Sequence, residues 1–269
     1  MYKKDIRLMA FIASAMFWGS GAQATDATGE NKVYLEQVGS SNTVTIQQVG
    51  GTNWVGGVTI DPDPVVVSNT GITTMTPVTP SSDNYATING SNNTVSVTQT
   101  GNNNTSQYNI TGNKNSYTST VTGNSNQTKL TINAGSVAND VTSNVSVTES
   151  ITGNSNLIIQ NVSSTRFTSN TSINGSSNQV TANTTTSGTL SSINNTIDGN
   201  SNVINVQQAD TGTHTLVMNT VGDYNSISTQ QQGSNNSTMN ISTTGNNNTI
   251  TVRSTNSSSI SAPMTAIAR

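Results

Sequence analysis

Residues 31–53 read NKVYLEQVGSSNTVTIQQVGGTN, and an eleven-residue phrase occurs in them twice. Asn31, Val33, Leu35, Gln37 and Gly39 fill it first. Asn42, Val44, Ile46, Gln48 and Gly50 fill it again, and Asn53 with Val55 opens a third copy. Apolar and polar positions alternate inside each copy, which is the period of a strand. The residues that close it (Gly, Ser, Asn) tolerate the left-handed backbone of tight turns. A short fixed period of this kind means that the chain stacks one small unit many times, so its function belongs to the stack rather than to a pocket.

The phrase extends along the chain. Gly followed three places later by Asn occurs twelve times, from Gly39/Asn42 to Gly245/Asn248. Composition alone would give roughly three such pairs. The longest unbroken run places Gly at 90, 101, 112 and 123, and Ser164 stands where a glycine would fall between Gly153 and Gly175. Asn93, Val95, Val97 and Gln99 alternate with Thr94, Ser96, Thr98 and Thr100. Gly101 and Asn104 open the next unit; Asn202, Ile204, Val206 and Gln208 repeat the arrangement, and Asn225, Ile227, Thr229 and Gln231 keep it with one apolar position lost. Thr, Ser, Asn and Gly all disfavour helix interiors, so helix is not expected.

Two strands and their corners make a coil of about 22 residues, and about nine such coils, stacked in register at roughly 4.8 Å, give a rod near 40 Å long. The expected fold is therefore all-β: a β-solenoid with two strands per coil, built of stacked β-arches, in which Asn stacks on Asn and Gln on Gln. One unit alone does not fold. Ordering eleven residues costs more than its two inward aliphatic side chains return, so each coil needs neighbours. Residues 25–55 form the first repeats and 84–256 the main solenoid, with 257–269 as a tail. Four of the five prolines (Pro62, Pro64, Pro77, Pro80) fall between them. Proline cannot donate to a ladder, so 56–83 is expected to be a loop ejected from the stack.

Composition sets the compartment. Residues 1–24 have the form of a secretory signal peptide: Lys3, Lys4 and Arg7, an apolar stretch at 8–19, then Ala22-Gln23-Ala24 as a cleavage site. The apolar stretch is too short to span a bilayer. Cleavage removes three positive charges and one negative, taking the net charge from −3 to −5. No basic footprint for nucleic acid remains. Only 8% of the chain is charged and cysteine is absent, so rigidity must come from backbone bonds and amide ladders.

The phrase Gln37-x-Gly39-x-x-Asn42-x5-Gln48 resembles the curlin repeat of curli, the extracellular amyloid fibres of bacteria. The match is partial at 99–104, where Ile110 replaces the closing Gln, and at 231–236, where Ser242 does. The resemblance implies a secreted, cell-surface fibre subunit that self-assembles for adhesion and biofilm matrix. It also implies a minor curlin nucleator and an outer-membrane secretion channel as partners. The assembly ladder it suggests comprises Asn31, Gln37, Gly39, Asn42, Gln48, Gly50, Asn53, Asn93, Gln99, Gly101, Asn104, Asn202, Gln208, Asn225, Gln231 and Asn236.

Sites for chemistry are sparse, and no enzyme activity, cofactor or metal is expected. The sole histidine, His214, sits in a strand-opening Asn slot without a second His or any Cys. No G-x-S-x-G elbow accompanies the many serines. Asp198, Asp210 and Asp223 lie near successive corners, where paired carboxylates of a glycoside hydrolase would need a groove. With Lys114, Lys129, Arg166 and Arg253 they read better as charges that discourage unwanted edge pairing. Asp61 and Asp63 lack the pattern of a calcium loop. The alternative to a fibre is a monomeric adhesin or an ice- or surface-binding solenoid. Files of Thr-x-Thr such as Thr43/Thr45 and Thr249/Thr251 favour it, and Gln107, Lys129, Leu157 and Ile159 at the equivalent positions count against it.

Overall fold

The computed structural model describes residues 31–60, 78–80, 86–112, 114–131, 145–163, 167–185, 191–209, 213–233, 236–255 and 261–267. The expected leader, Pro62, Pro64, Pro77, Asp61, Asp63, Arg166 and Asp210 lie outside them. Two nine-stranded parallel sheets run the length of the stack. The first contains, in order, β1 (Lys32–Val33), β4 (Trp54–Val55), β9 (Thr105–Gln107), β12 (Gln127–Thr131) and β14 (Leu157–Ser163). It continues through β16 (Gln179–Thr185), β18 (Val203–Ala209), β20 (Ser226–Gln232) and β22 (Thr249–Thr255). The second begins with β3 (Thr43–Val49), β8 (Thr94–Thr100), β11 (Ser116–Thr122), β13 (Val145–Thr152) and β15 (Phe167–Asn174). It ends with β17 (Ser191–Asp198), β19 (His214–Val221), β21 (Ser237–Thr244) and β23 (Ser261–Ile267). The chain alternates between the sheets, and from β13 onward each strand lies on the one two before it, which is a parallel β-solenoid. The expected fold class holds, with no helix among the described residues.

The spacing of paired strands is elastic, and the loops take up the difference. Partners lie 22 residues apart between β8 and β11, 30 between β11 and β13, 24 between β15 and β17, and 23 between β19 and β21. The largest excursion leaves from within a rung. β2 (Leu35–Val38), β7 (Ala86–Asn89) and β10 (Asn109–Thr111) form a short parallel sheet that prolongs the first three rungs of the first sheet. The amide of Tyr34 donates to Val55 O at 2.7 Å, and Ala86 N donates to Tyr34 O at 2.8 Å. The chain thus departs at Gly56 and returns at Ala86 against the same residue of the rung below. Part of this segment is regular: β5 (Val58–Ile60) and β6 (Val78–Pro80) pair antiparallel, so Pro80 sits in a strand at the base of the loop. Ile60 is buried with Leu157 and Ile159 on the outside of the first sheet, and Lys129 Nζ donates to Ile60 O at 2.9 Å.

Strand alternation sends every second side chain between the sheets. Val95, Val97, Tyr117, Val121, Val147, Ile151, Ile173, Ile193, Leu216 and Ile241 point in from the second sheet. Ile158, Val162, Val180, Ile204, Val206 and Ile227 meet them from the first. In the middle of the stack this core turns polar. Ser119, Glu149, Thr171 and Asn195 occupy one buried column over four rungs.

Candidate assembly ladder

Asn31, Asn53, Asn104, Asn126, Asn156, Asn178, Asn202, Asn225 and Asn248 form one uninterrupted column where the chain enters the first sheet. From Asn53 onward each backbone N–H donates to the Oδ1 of the asparagine below, at 2.9–3.1 Å. Its Nδ2 also reaches the corner glycine carbonyl of the rung above: Asn104 donates to Gly123 O at 2.7 Å and Asn156 to Gly175 O at 2.8 Å. Asn is required because only a short amide can both accept the backbone N–H of the next rung and donate to that rung's glycine carbonyl within one 4.8 Å step. Asn126, Asn156, Asn178 and Asn248 belong to this column yet lack the Gln that marked the others. Their Gly-x-x-Asn spacing alone was the readable signal.

The second corner behaves differently. Asn42, Asn93 and Asn115 make the same ladder at the entry to the second sheet, with Asn42 donating to Gly90 O at 2.8 Å and Asn93 to Gly112 O at 3.0 Å. Beyond them the register column continues through Val145, Phe167, Ser191, His214 and Ser237. Asn236 is therefore not in the column, contrary to the expectation. Ser237, four residues after Gly233 instead of three, stands in register with His214, and Asn236 is exposed with its Oδ1 accepting from Thr213 N at 3.0 Å. His214 fills the Asn slot by mimicry. Its Nε2–H donates to Gly233 O at 3.0 Å, as an Asn amide would, and its Nδ1 lies 2.7 Å from Ser237 Oγ.

Glutamine stacks less than expected. Gln48 Nε2 donates to Gln99 Oε1 at 2.9 Å in the second sheet, but Val121 follows, and Gln99 turns its amide to Ser106 Oγ. Gln231 Nε2 donates to Gln208 Oε1 at 2.8 Å in the first sheet. The two pairs lie on opposite sheets and do not form one column. Gln37 shares its column with Ile88, so it has no amide above it. Burial decides this: a Gln column is tolerated only where neighbouring amides complete it, and aliphatic residues fill the rest.

The corner glycines form a spine of their own. Gly50, Gly101, Gly123, Gly153, Gly175, Gly199, Gly222 and Gly245 stack with φ between 101° and 144°. Gly39 and Gly90 repeat the contact at the second corner. A Cβ on Gly123 would overlap Gly153 O, so the backbones approach too closely for any side chain.

Asp198 and Asp223 are each engaged by an asparagine of the rung below. Asp198 Oδ1 accepts from Asn174 Nδ2 at 3.1 Å, while Asp223 Oδ1 accepts from Asn200 N at 2.6 Å, each serving as an amide substitute in its own ladder. No metal-holding group of His, Cys, Asp or Glu occurs among the described residues.

The two outer faces are unlike. Gln107, Lys129, Leu157 and Ile159 all face outward from the first sheet, where the base of the 56–85 loop packs on them. On the outer face of the second sheet three successive rungs form a hydroxyl array. Thr94, Ser96, Thr98 and Thr100 align with Ser116, Thr118, Thr120 and Thr122, and these with Ser146, Thr148, Ser150 and Thr152. Thr249 and Thr251 share the outer face of the first sheet with these irregular positions, whereas Thr43 and Thr45 lie on the second sheet, a division that alternation alone did not show.

Fold and ladder together define a parallel β-solenoid latched by amides, with strands at both ends that have no neighbour among the described residues. Comparison with protein-family models, with curated proteins and with solved structures finds no match to this chain.

Proposed function

We propose that the chain is a secreted, curlin-like structural subunit that self-assembles into extracellular amyloid fibres for cell adhesion and biofilm matrix. The observation that carries this reading is the nine-asparagine column. It runs through every rung of the first sheet and stops at neither end on a residue of a different kind. Solenoids that remain monomeric close their ends with atypical capping repeats. Here Asn31 and Asn248 are ordinary members of the column, so the next asparagine in line can belong to a second copy. The partners that go with this reading are the chain itself, a minor curlin nucleator and an outer-membrane secretion channel. The site of action is the cell surface. Purified chain incubated at high concentration is expected to give thioflavin-positive filaments with a meridional spacing near 4.8 Å. A chain that stays monomeric for days without thioflavin response overturns the reading.

A second reading, a monomeric surface- or ice-binding solenoid, is favoured by the hydroxyl array. Its twelve Ser and Thr side chains are spaced about 4.8 Å between strands and about 6.7 Å along them, without a charge. A lattice of ordered water or polysaccharide hydroxyls matches such a face better than a shaped ligand does. Thr120 lies at its centre and is exposed. Thr120→Lys leaves the fold intact and is expected to abolish ice shaping or adsorption to crystalline polysaccharide while sparing fibre formation. Equal adsorption by both chains rules the second reading out.

A further inference from the structure

The two ends of the first sheet carry complementary groups at matching positions. Lys32, Trp54, Thr105, Gln127, Leu157, Gln179, Val203, Ser226 and Thr249 occupy one outward column. Four residues further along their strands stand Glu36 at one end and Arg253 at the other. Glu36 pairs with Thr87 and Arg253 with Gln230. Both charged side chains are exposed. The inward positions of the same strands are incompletely covered. Val33 is 40% exposed although its column is buried at Val55 and Ser106, and Leu35 and Val252 are only half-buried against the core.

Setting a second copy on the stack without changing the register brings its Asn31 over Asn248, its Leu35 over Val252 and its Glu36 over Arg253. The asparagine ladder then continues, because Asn31 N–H has no asparagine below it and Asn248 Oδ1 has none above it among the described residues. Two half-covered apolar residues become inner neighbours, and opposite charges become cross-strand neighbours.

The second sheet ends otherwise. Thr43 N donates to Asn93 O and Thr94 N to Asn115 O, so residues of this alternation direct their N–H to the rung above. Pro263 pairs with Asn240 and belongs to that alternation. Having no N–H, it leaves the open edge of β23 one donor short.

Resting on the fibre reading, we propose that copies join head to tail through the first sheet. β22 of one copy pairs with β1 and β2 of the next in the register that sets Arg253 against Glu36, and Pro263 weakens the matching junction of the second sheet. The charges select the direction and register of addition, and the proline slows it.

Seeded elongation of the purified chain tests this at low salt. Arg253→Glu and Glu36→Arg are each expected to elongate about 5-fold slower, because a cross-strand attraction becomes a repulsion. The exchanged double variant returns to the parental rate, and all four chains converge in about 1 M salt. Pro263→Ala elongates faster than the parent. Circular dichroism that is unchanged in the single variants excludes misfolding. Single variants that match the parent, or a double variant as slow as the singles, overturn the junction but leave the fibre. A same-end dimer is recognised by a double variant that is not rescued. A parent chain that never elongates overturns the fibre reading and the junction with it.

Discussion

Gly123→Ala is expected to break the solenoid at its third glycine corner. Gly123 has φ 127°, a conformation that costs an alanine on the order of 1–3 kcal/mol. The new Cβ would also lie inside the van der Waals surface of Gly153 O, with Asn154 Oδ1 at 3.2 Å as the next obstacle. Relief requires the two rungs to part. Parting them strains the bond from Asn126 Nδ2 to Gly153 O and the bond from Gly153 N to Thr122 O, at 2.8 and 2.9 Å. Losing one buried bond adds about 1–3 kcal/mol, so the total is about 2–6 kcal/mol. Denaturant unfolding of the purified chain measures it. The same corner supplies its control: Ser125 has φ 57°, and Ser125→Gly should be neutral or stabilising by up to about 1 kcal/mol. If Gly123→Ala costs no more than a surface substitution, the close approach of the corners is not what holds the stack.

The spine and the asparagine column were readable from spacing because both obey a local rule that needs no knowledge of which strands pair. Gly123 and Asn126, three residues apart, show it in the sequence as clearly as Gly39 and Asn42. What depended on pairing was hidden. The 56–85 excursion sets Thr43 against Thr94, so a fixed period cannot locate partners across it. The extra residue after Gly233 hides the replacement of Asn236 by Ser237, since both residues are small and polar. The hydroxyl face escaped for a related reason. A two-residue alternation separates inside from outside, whereas assigning an outward residue to one sheet requires counting corners, and the insertions at 56–85 and after Thr131 defeat the count.

Glu149 shows the same limit with a larger consequence, because by sequence it is a polar residue in a Thr- and Ser-rich strand. The alternation of β13 instead places it between the sheets, buried, with Tyr117 Oη donating to its Oε2 at 2.9 Å and Gln160 Nε2 to its Oε1 at 2.8 Å. The other titratable group facing it is Tyr108, in edge contact with Tyr117 at a centroid distance of 5.5 Å. The nearby cation of the first sheet, Lys129, faces outward and binds Ile60 O. Removal from water raises the Glu149 carboxyl from 4.5 to about 7, and the hydrogen bonds from Tyr117, Ser119 and Gln160 hold it from going higher. Burial, and then the charge of Glu149, lift both tyrosines well above their ordinary value. Geometry favours the protonated acid as well. Gln160 Oε1 is buried and accepts no hydrogen bond, so a flip of the Gln160 amide sets an acceptor against the acid proton.

The direction of the pH effect follows from this and is opposite to that of a salt-bridged carboxylate. Between pH 4.5 and about 7 the folded chain keeps a proton that the unfolded chain has released. The contribution of this group is complete below about 4.5, declines as pH rises to about 7, and is flat above. The whole change amounts to about 3 kcal/mol, at 1.36 kcal/mol per unit. Denaturant midpoints measured from pH 4.5 to 8 should therefore fall for the parent more steeply than for Glu149→Gln, whose amide can still accept from Tyr117 and donate to Gln160 Oε1. If that variant does not fold, infrared spectra with labelled glutamate provide the answer, because Glu30 and Glu36 are the only others in the chain. A protonated carboxyl band should persist at pH 6 in the folded parent and vanish on unfolding. Parallel pH profiles for parent and variant, or a fully ionised Glu149 at pH 6, would mean that the core carries this charge with a partner the geometry does not provide.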